Sequence, residues 1–533
     1  MKRALFVLLL LSLFASAAQL NPRGVGDSRL TLRLEWVFEP SSQGGSHHLT
    51  TFAFPSTSFQ TSDCRSNDSF TTGTDAWGNT RLRFEWPATT SEKRVTLTAD
   101  LTVNYANAVE AATQASEYVK ESPLVLLTPE ASSQAAAIVK GAQTDFERAA
   151  RLSEWVHNNV AYDPSQSYFT KTSQEVLSNR SGVCSEYSHL LLALLRVQGI
   201  PSRFVAGFVY SGEAWGPHAW VEAAIDGKWV AFDPTFNEAG VLDATHVKFA
   251  HGRDHGDVTE EITEGLTLEK PPIQVTVQET SNFSLPFRLG FLRAPSLVGA
   301  GSLETVSIEV ESLSNSEQAV PLYLTVPTSP PELAVTVSGD KDKLLYLPSR
   351  AKRSANWSLV FPTAMQEGGV YEFTVYAASL GAEKTAAING RKDAEASVVE
   401  KLEIRDLKAR IEGEALTINA DLANTGSVDA NALVSCVFEG QEQKSNVEVG
   451  IGKKRALQFV FQKPAPGKAS GSLTVITRGQ TFNQPFEVAV PEPQASAQAA
   501  GQDNLPAFAA IAIIVVIAAA VIVTKIRPGY EEV

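Results

Sequence analysis

The chain has 533 residues and a formal net charge of −14, with 44% apolar and 20% charged residues. These fractions exclude a wholly disordered chain, and the length suffices for three or four domains that each bury a core. The acidic balance, with no basic patch in the sequence, argues against a nucleic-acid partner.

Residues 1–18 have the composition of a secretory signal peptide. A basic start (Met1 to Arg3) precedes an apolar run (Ala4 to Phe14) and a small-residue cleavage pattern at Ala15-Ser16-Ala17. An uncleaved anchor is the alternative, but the apolar run is shorter than the ~20 residues that a membrane span needs. We therefore expect most of the chain to be extracellular.

Residues 19–106 are predicted to form an N-terminal antiparallel β domain. The segments LTLRLEWVF, TRLRFEWPA and KRVTLTADLTVNY alternate apolar and polar residues between turn residues. That period of two is typical of strands with one packed face and one wet face.

Residues 107–268 change from helical to strand patterns. PEASSQAAAIVK and TDFERAARLSEWVHNN carry apolar residues at helical spacing, and HAWVEAAI and KWVAFD then flank Asp226-Gly227. An Asp-Gly pair between two apolar runs strongly indicates a β-hairpin. The sequence predicts an α+β domain here.

The rest of the chain is predicted to be β structure followed by a membrane anchor. Short alternating runs at near-regular spacing favour two immunoglobulin-like β-sandwiches, at 269–398 and 399–490. A flexible linker would follow at 491–504. Residues 505–524 are apolar and long enough for a transmembrane helix, although a buried soluble helix is the alternative. Lys525 and Arg527 then place the tail, 525–533, in the cytoplasm.

Cys184 is one of only three cysteines, with Cys64 and Cys436, and the three lie far apart in sequence. Disulfides are therefore not expected to be the main stabilising element. Cys184 opens an apolar helical stretch that Gly199-Ile200-Pro201 ends. A helix N-terminus favours an anion, so a thiolate is favoured at this position. A buried structural thiol is the alternative for Cys184 taken alone.

The hairpin register predicts that His218 and Asp233 lie close together. If Asp226-Gly227 is a two-residue turn, Ile225 faces Lys228 and Trp220 faces Asp233. His218 and Asp233 then become diagonal neighbours on one face, with α-carbons about 7–8 Å apart. One hairpin would present a base and the carboxylate that orients it, although Asp233 before Pro234 could instead be only a turn former.

These motifs together resemble the transglutaminase-like superfamily. The resemblance rests on Gly182-Val183-Cys184, GIPSR at 199–203, His218-Ala219-Trp220-Val221 and WVAFDP at 229–234, and it covers about residues 140–240. It implies a papain-like α+β core with Cys184 as nucleophile, His218 as base and later acid, and Asp233 as the group that orients the imidazole. The backbone N–H of Cys184 is one candidate oxyanion donor. Gln174 is a candidate side-chain donor that no motif fixes.

His246, His251 and His255, with Asp254 and Asp257, are residue types that can bind a metal, but no HExxH motif or regular ligand spacing supports a metal site. The sequence instead predicts a solvated polar loop there, and no metal or other cofactor is expected. His189 is expected to face away from the site.

The sequence therefore predicts a membrane-anchored thiol hydrolase acting on peptide or isopeptide amides of a cell-surface substrate. Two alternatives stay open. The first is a protein-glutamine transglutaminase that joins a glutamine side chain to an amine. The second is a non-catalytic surface adhesion or scaffold protein, against which the presence of all three residue types argues.

Overall fold

The computed structural model describes residues 24–490, except 90, 107–108, 167–169, 285, 396–400, 413–414, 427–428, 463 and 478–480. The predicted signal peptide (1–18), linker (491–504), transmembrane helix (505–524) and tail (525–533) lie outside the described residues. Among the described residues, no helix has the length and apolarity that a membrane crossing requires.

The N-terminal unit is antiparallel β structure, as the alternating pattern predicts. In β1, the inward-facing residues Leu30, Leu32 and Leu34 are buried while the residues between them are more exposed. The strands are β1 Val25–Phe38, β2 Ser41–Phe52, β3 Gln60–Ser66, β4 Thr71–Thr74, β5 Thr80–Thr89, β6 Lys93–Asn104 and β7 Glu110–Ala111.

Within the described residues, the next unit contains four α-helices that pack against a sheet. The helices are α1 Pro129–Ile138, α2 Asp145–Asn159, α3 Ser173–Asn179 and α4 Cys184–Arg196. The strands are β8 Ala161–Tyr162, β9 Ser181–Gly182, β10 Ser202–Tyr210, β11 Trp215–Ile225, β12 Lys228–Asp233, β13 Glu238–Ala239, β14 Val247–Gly252, β15 Glu261–Ile262 and β16 Leu268–Glu269. The main sheet runs in the order β13-β12-β11-β10-β14, and β7 pairs with β12.

Helix α4 is buried on all sides. It packs against the other three helices and against β10 and β11, so even its polar residues His189 and Arg196 are buried. His189 Nδ1 contacts the Lys171 carbonyl at 3.0 Å, and its Nε2 accepts the N–H of His255. Burial lowers the pKa of His189 to about 4, so its ring is neutral and engaged away from Cys184.

Two β units follow. The strands of the first segment are β17 Gln274–Asn282, β18 Phe287–Arg293, β19 Leu297–Gly299, β20 Leu303–Ser312, β21 Gln318–Thr325, β22 Thr336–Ser338, β23 Asp342–Leu347, β24 Lys352–Val360, β25 Tyr371–Ser379 and β26 Ala382–Arg391. The strands of the second are β27 Leu402–Glu412, β28 Ala415–Asn424, β29 Ala430–Phe438, β30 Gln441–Val449, β31 Lys454–Gln462, β32 Gly467–Ile476 and β33 Thr481–Val490. Each unit has two sheets around one apolar core. Their immunoglobulin-like topology stays a prediction.

The sheet pairing differs from the predicted boundary at residue 269. Strand β17 pairs with β1, so residues 274–282 complete the N-terminal sheet and do not begin the sandwich. The N-terminal sheets also share a hydrophobic core with Phe208, Trp220 and Val247 of the main sheet β13-β12-β11-β10-β14. The N-terminal strands therefore pack against the face of this sheet on which Trp220 lies, and His218, two residues earlier on β11, is on the same face.

Candidate functional site

The first turn of α4 holds Cys184 at the helix N-terminus. Glu186, which is 1% exposed, accepts the Val183 N–H at 3.1 Å through its carboxylate. The first N–H used within the helix is that of Tyr187, which donates to the Val183 carbonyl at 3.0 Å. The Cys184 N–H therefore takes no part in the helical ladder, and the partly exposed thiol lies at the positive end of the helix dipole.

Glycine is required at 182 because the chain passes very close to Glu186. A Cβ at this position would lie 2.4 Å from the Cβ of Glu186. We expect Gly182→Ala to lower the free energy of unfolding by about 1–3 kcal/mol, since the first turn must shift. Chemical denaturation of the variant measures this, together with the reactivity of Cys184 towards a thiol reagent.

Gly216→Ala is the matched control for that prediction. Its added Cβ would meet no atom within 4 Å, although it lies only two residues before His218. An equal loss of stability in both variants would contradict the steric account of Gly182.

The predicted hairpin register is confirmed. Ile225 pairs with Lys228, and the ladder continues to Val221 opposite Phe232. This pairing brings the His218 and Asp233 side chains together, and His218 Nε2 lies 2.8 Å from Asp233 Oδ2. Both residues are buried, with Asp233 fully enclosed.

His218 is placed between Asp233 and Cys184. Because Nε2 faces Asp233, Nδ1 is the ring nitrogen left for the hydrogen bond with Cys184. Burial alone would lower the pKa of His218, but Asp233 and Cys184 raise it to about 9. The ring is therefore an imidazolium at neutral pH, and it stacks on Phe236 at 5.0 Å between centroids.

Asp233 has both functions that the sequence left open. Its Oδ1 accepts the N–H of Thr235 at 2.7 Å and of Phe236 at 3.3 Å, which forms an Asx turn. Its Oδ2 is left to face the histidine. Burial opposes ionisation, but His218 and His246 hold the pKa of Asp233 well below its usual range.

Sequence reasoning missed His246, which also contacts Asp233. His246 Nε2 lies 3.1 Å from Asp233 Oδ2, and the side chain is fully buried. The prediction of a solvated polar loop is therefore wrong for His246, and also for Asp254, which is 1% exposed. The chain here enters β14, which pairs with β10 at the edge of the sheet and draws the preceding residues into the core.

Two further residues of this group, His251 and Asp257, contact other protein groups. His251 Nε2 contacts the Trp77 carbonyl at 3.0 Å, and Asp257 pairs with Arg253. Two other groups of ligand-type side chains, at 218/233/246 and 238/243/246, have their donor atoms within 4.8 Å of one another. No regular spacing marks these groups in the sequence, because they come from three strands and a loop.

Tyr162 emerges beside Cys184 and was not singled out from the sequence. The short parallel pair of β8 and β9 aligns Tyr162 with Gly182, two residues before the thiol. Its side chain is 54% exposed, and burial and the nearby Cys184 raise the pKa of its phenol. Gln174, in contrast, accepts a hydrogen bond from Thr128 at the start of α1, so its amide oxygen is used there.

Residues 132–234 match the sequence model of the transglutaminase-like superfamily, so this segment is a transglutaminase-like core. An uncharacterized protein of Mycobacterium leprae (strain TN) is 30% identical over 112 residues, which cover 20% of this chain and 39% of that protein. An uncharacterized protein of Mycobacterium tuberculosis (strain H37Rv) is 25% identical over 121 residues, covering 20% and 38%. The chain thus spans about two fifths of the length of these relatives.

Two solved structures are similar to parts of the chain. One is a protein of Cytophaga hutchinsonii described as a candidate cysteine protease, which is 17% identical in sequence. The match covers 49% of this chain and 92% of that chain, with a TM-score of 0.40. The other is the transglutaminase of red sea bream, with 11% identity, 87% and 93% covered, and a TM-score of 0.19. At these TM-scores the likeness carries no argument about activity.

Proposed function

We propose that this protein, built around a transglutaminase-like core, is a thiol hydrolase that cleaves peptide or isopeptide amides through Cys184, His218 and Asp233. The observation that carries the proposal is the placement of one partly exposed thiol at a helix N-terminus, next to an imidazole held at 2.8 Å by a buried carboxylate. This arrangement supplies a nucleophile, a general base and an orienting group in one place.

The first half of the reaction would form a thioester. The Cys184 thiolate attacks the carbonyl carbon, and the carbonyl π electrons move to oxygen to give a tetrahedral oxyanion. When the intermediate collapses, the C–N bond breaks and the leaving nitrogen takes the proton from His218 Nδ1. The amine or ammonia departs, and the acyl group remains on sulfur.

The second half would resolve the thioester with water. His218, now neutral, removes a proton from water as the oxygen attacks the acyl carbon. Collapse of the second tetrahedral intermediate breaks the C–S bond, which releases a carboxylic acid and restores the thiolate–imidazolium pair. Asp233 keeps its charge throughout and stabilises the imidazolium.

Solvent access at the site favours water over a bound amine as the acceptor. Cys184 is partly exposed, and the side chain of the neighbouring Tyr162 is 54% exposed. The experiment is to measure release of ammonia or amine from glutamine-containing peptides, with and without an added primary amine. Hydrolysis predicts release that is independent of the amine and no amine incorporation, whereas stoichiometric incorporation would favour a transglutaminase. No release in either condition would contradict both enzymatic functions.

We assign Tyr162 as the side-chain donor to the oxyanion, beside the Cys184 N–H. Tyr162→Phe should lower kcat by about 10²-fold with little change in KM, because the lost hydrogen bond forms mainly in the transition state. Steady-state kinetics on the released amine measures this. Tyr376→Phe, at an exposed tyrosine of β25 in the first sandwich, is the control and should leave both constants unchanged. A rise in KM alone would contradict the assignment and make Tyr162 a substrate contact.

We also propose that the enzyme acts at the cell surface and is held there by residues 505–524. The basic and apolar start of the chain and the apolar run followed by Lys525 and Arg527 support this location. Alkaline carbonate extraction of membranes tests it. The full chain should stay in the pellet, whereas a chain ending at residue 490 should appear in the medium; release of the full chain by carbonate would contradict the anchor.

A further inference from the structure

The ring of His246 lies between two groups that can only accept hydrogen bonds. Its Nε2 is 3.1 Å from Asp233 Oδ2. Its Nδ1 is 3.2 Å from the backbone carbonyl of Asp243 and 3.4 Å from the carboxylate of the same residue. A neutral imidazole has one N–H and one lone pair, so it would point a lone pair at an acceptor. Only the doubly protonated ring satisfies both sides.

The charges around the ring favour the same state. The titratable groups that face the ring are Asp233 from β12, Glu238 from β13, Asp243 from the loop after β13, and His218 from β11. Tyr105 donates its hydroxyl to the His246 backbone carbonyl. Burial and the nearby Asp243 raise the pKa of Glu238 to about 8, so this carboxyl is protonated at neutral pH. Two buried carboxylates then remain, and two imidazolium rings balance them.

We propose that His246 is an imidazolium throughout the working pH range and is a positioning residue that shares Asp233 with His218. Its N–H fixes Asp233 Oδ2, the same carboxylate oxygen that His218 contacts. Its charge also takes up part of the attraction that Asp233 exerts on His218. Without this second cation, His218 would hold its proton more strongly and lose it only at a higher pH.

A metal ion in place of the proton is the competing use of these side chains. Glu238, Asp243 and His246 have ligand atoms within 4.8 Å of one another. Several of these atoms are already occupied, because Glu238 Oε2 accepts the Asp243 N–H and Asp243 Oδ1 accepts both the N–H and the hydroxyl of Thr245. Glu238 Oε1 alone of the two Glu238 oxygens has no hydrogen-bond partner. A metal would displace a ring proton of His246, so the two states differ in a measurable way.

The direct test is ¹⁵N NMR of the full chain labelled at histidine, which has only eight such residues, with His246→Gln used for assignment. Both His246 nitrogens should show imidazolium shifts from pH 6 to 8, unchanged by EDTA. A neutral tautomer in that range would overturn the proposal. Signals that change on adding EDTA would overturn it in favour of a metal. The protonation state is read from the wild-type protein, and the result holds even if no amide is hydrolysed.

The second test concerns the role and rests on the proposed function. His218 should lose its proton near pH 9, and the rate of hydrolysis should fall as the pH rises through that value, because the acid for the leaving nitrogen is lost. Two transitions are followed: proton loss by His218, seen by NMR, and the fall in the hydrolysis rate. In His246→Gln, removal of a cation whose ring centroid is 5.5 Å from that of His218 should raise the pH of both transitions by at least about one unit. Glutamine keeps an N–H for Asp233, so the effect reports on charge.

The control is His48→Gln, at a histidine of the N-terminal unit that contacts Thr263, and it should leave both transitions in place. If His246→Gln lowers only the melting temperature and both transitions stay near pH 9, His246 is merely structural and the proposal fails. If the NMR transition moves while no variant or wild type hydrolyses amides, the proposed function fails and the role of His246 in setting His218 stands.

Discussion

Cys184→Ala should abolish amide hydrolysis, lowering the rate constant by about 10⁶-fold, the loss typical of removing a catalytic nucleophile. No neighbouring group can replace the thiolate, because His218 is the base and Asp233 is buried beneath it. The loss should be in kcat, and the melting temperature should change little since the thiol is only partly buried. Amine release measured over long incubation gives the residual rate.

Cys64→Ala is the matched control for that loss. Cys64 is also a partly exposed free thiol, but it lies on β3 of the N-terminal sheet, next to the hydroxyl of Ser62. We expect full activity in this variant. Substantial activity in Cys184→Ala, or equal losses in both variants, would contradict the assignment of the nucleophile.

Asp233→Asn should have the second largest effect, lowering the rate by about 10⁴-fold because the imidazole loses the charge that orients and stabilises it. It should also lower the free energy of unfolding by about 3–5 kcal/mol, since two buried imidazolium rings would lose their shared counter-ion. Hydrolysis assays and chemical denaturation measure the two effects separately.

Asp68→Asn is the control for the predicted loss in the free energy of unfolding. It removes a partner of Lys93 on the surface of the N-terminal unit, where both side chains are 26% exposed, and should change the free energy by less than about 1 kcal/mol. A stability loss in Asp233→Asn as small as in Asp68→Asn would mean that the buried cluster does not depend on the Asp233 charge.

The local features of the site could be predicted from sequence because they rest on short-range rules. A glycine two residues before the cysteine and a helix stop at Gly199 are enough to place Cys184 at a helix start. The two-residue Asp-Gly turn makes His218 a diagonal neighbour of Asp233 on the adjacent strand. The strand alternation likewise predicts the N-terminal β structure.

The features that could not be predicted depend on contacts between distant segments. His246 reaches Asp233 because β14 adds to the far side of β10, and strand order within a sheet is not written in the periodicity of one strand. Residues 274–282 return to β1 for the same reason, which moves the boundary predicted at 269. The alternation in those residues predicts a strand, but it does not predict which strand it will pair with.

The polar residues of α4 show a further limit of pattern analysis. Its apolar spacing predicts one buried face, yet His189 and Arg196 are buried on the other side. Arg196 donates to the carbonyls of Ser202 and Lys120 at distances of 2.8 and 3.0 Å, which compensates its burial. These carbonyls belong to segments that pack beside the helix, so a polar residue in a helix pattern does not by itself mark the solvent-exposed face.

Covalent labelling shows whether Cys184 is a nucleophile that His218 activates. The purified protein is treated with a thiol-reactive probe that mimics an amide, and intact mass spectrometry follows the adduct in wild type, Cys184→Ala and His218→Ala. We predict one adduct on wild type, mapped to Cys184, no adduct on Cys184→Ala and much slower labelling of His218→Ala. Labelling at the same rate in all three proteins, or an adduct on Cys64 or Cys436, would contradict a nucleophilic Cys184 activated by His218.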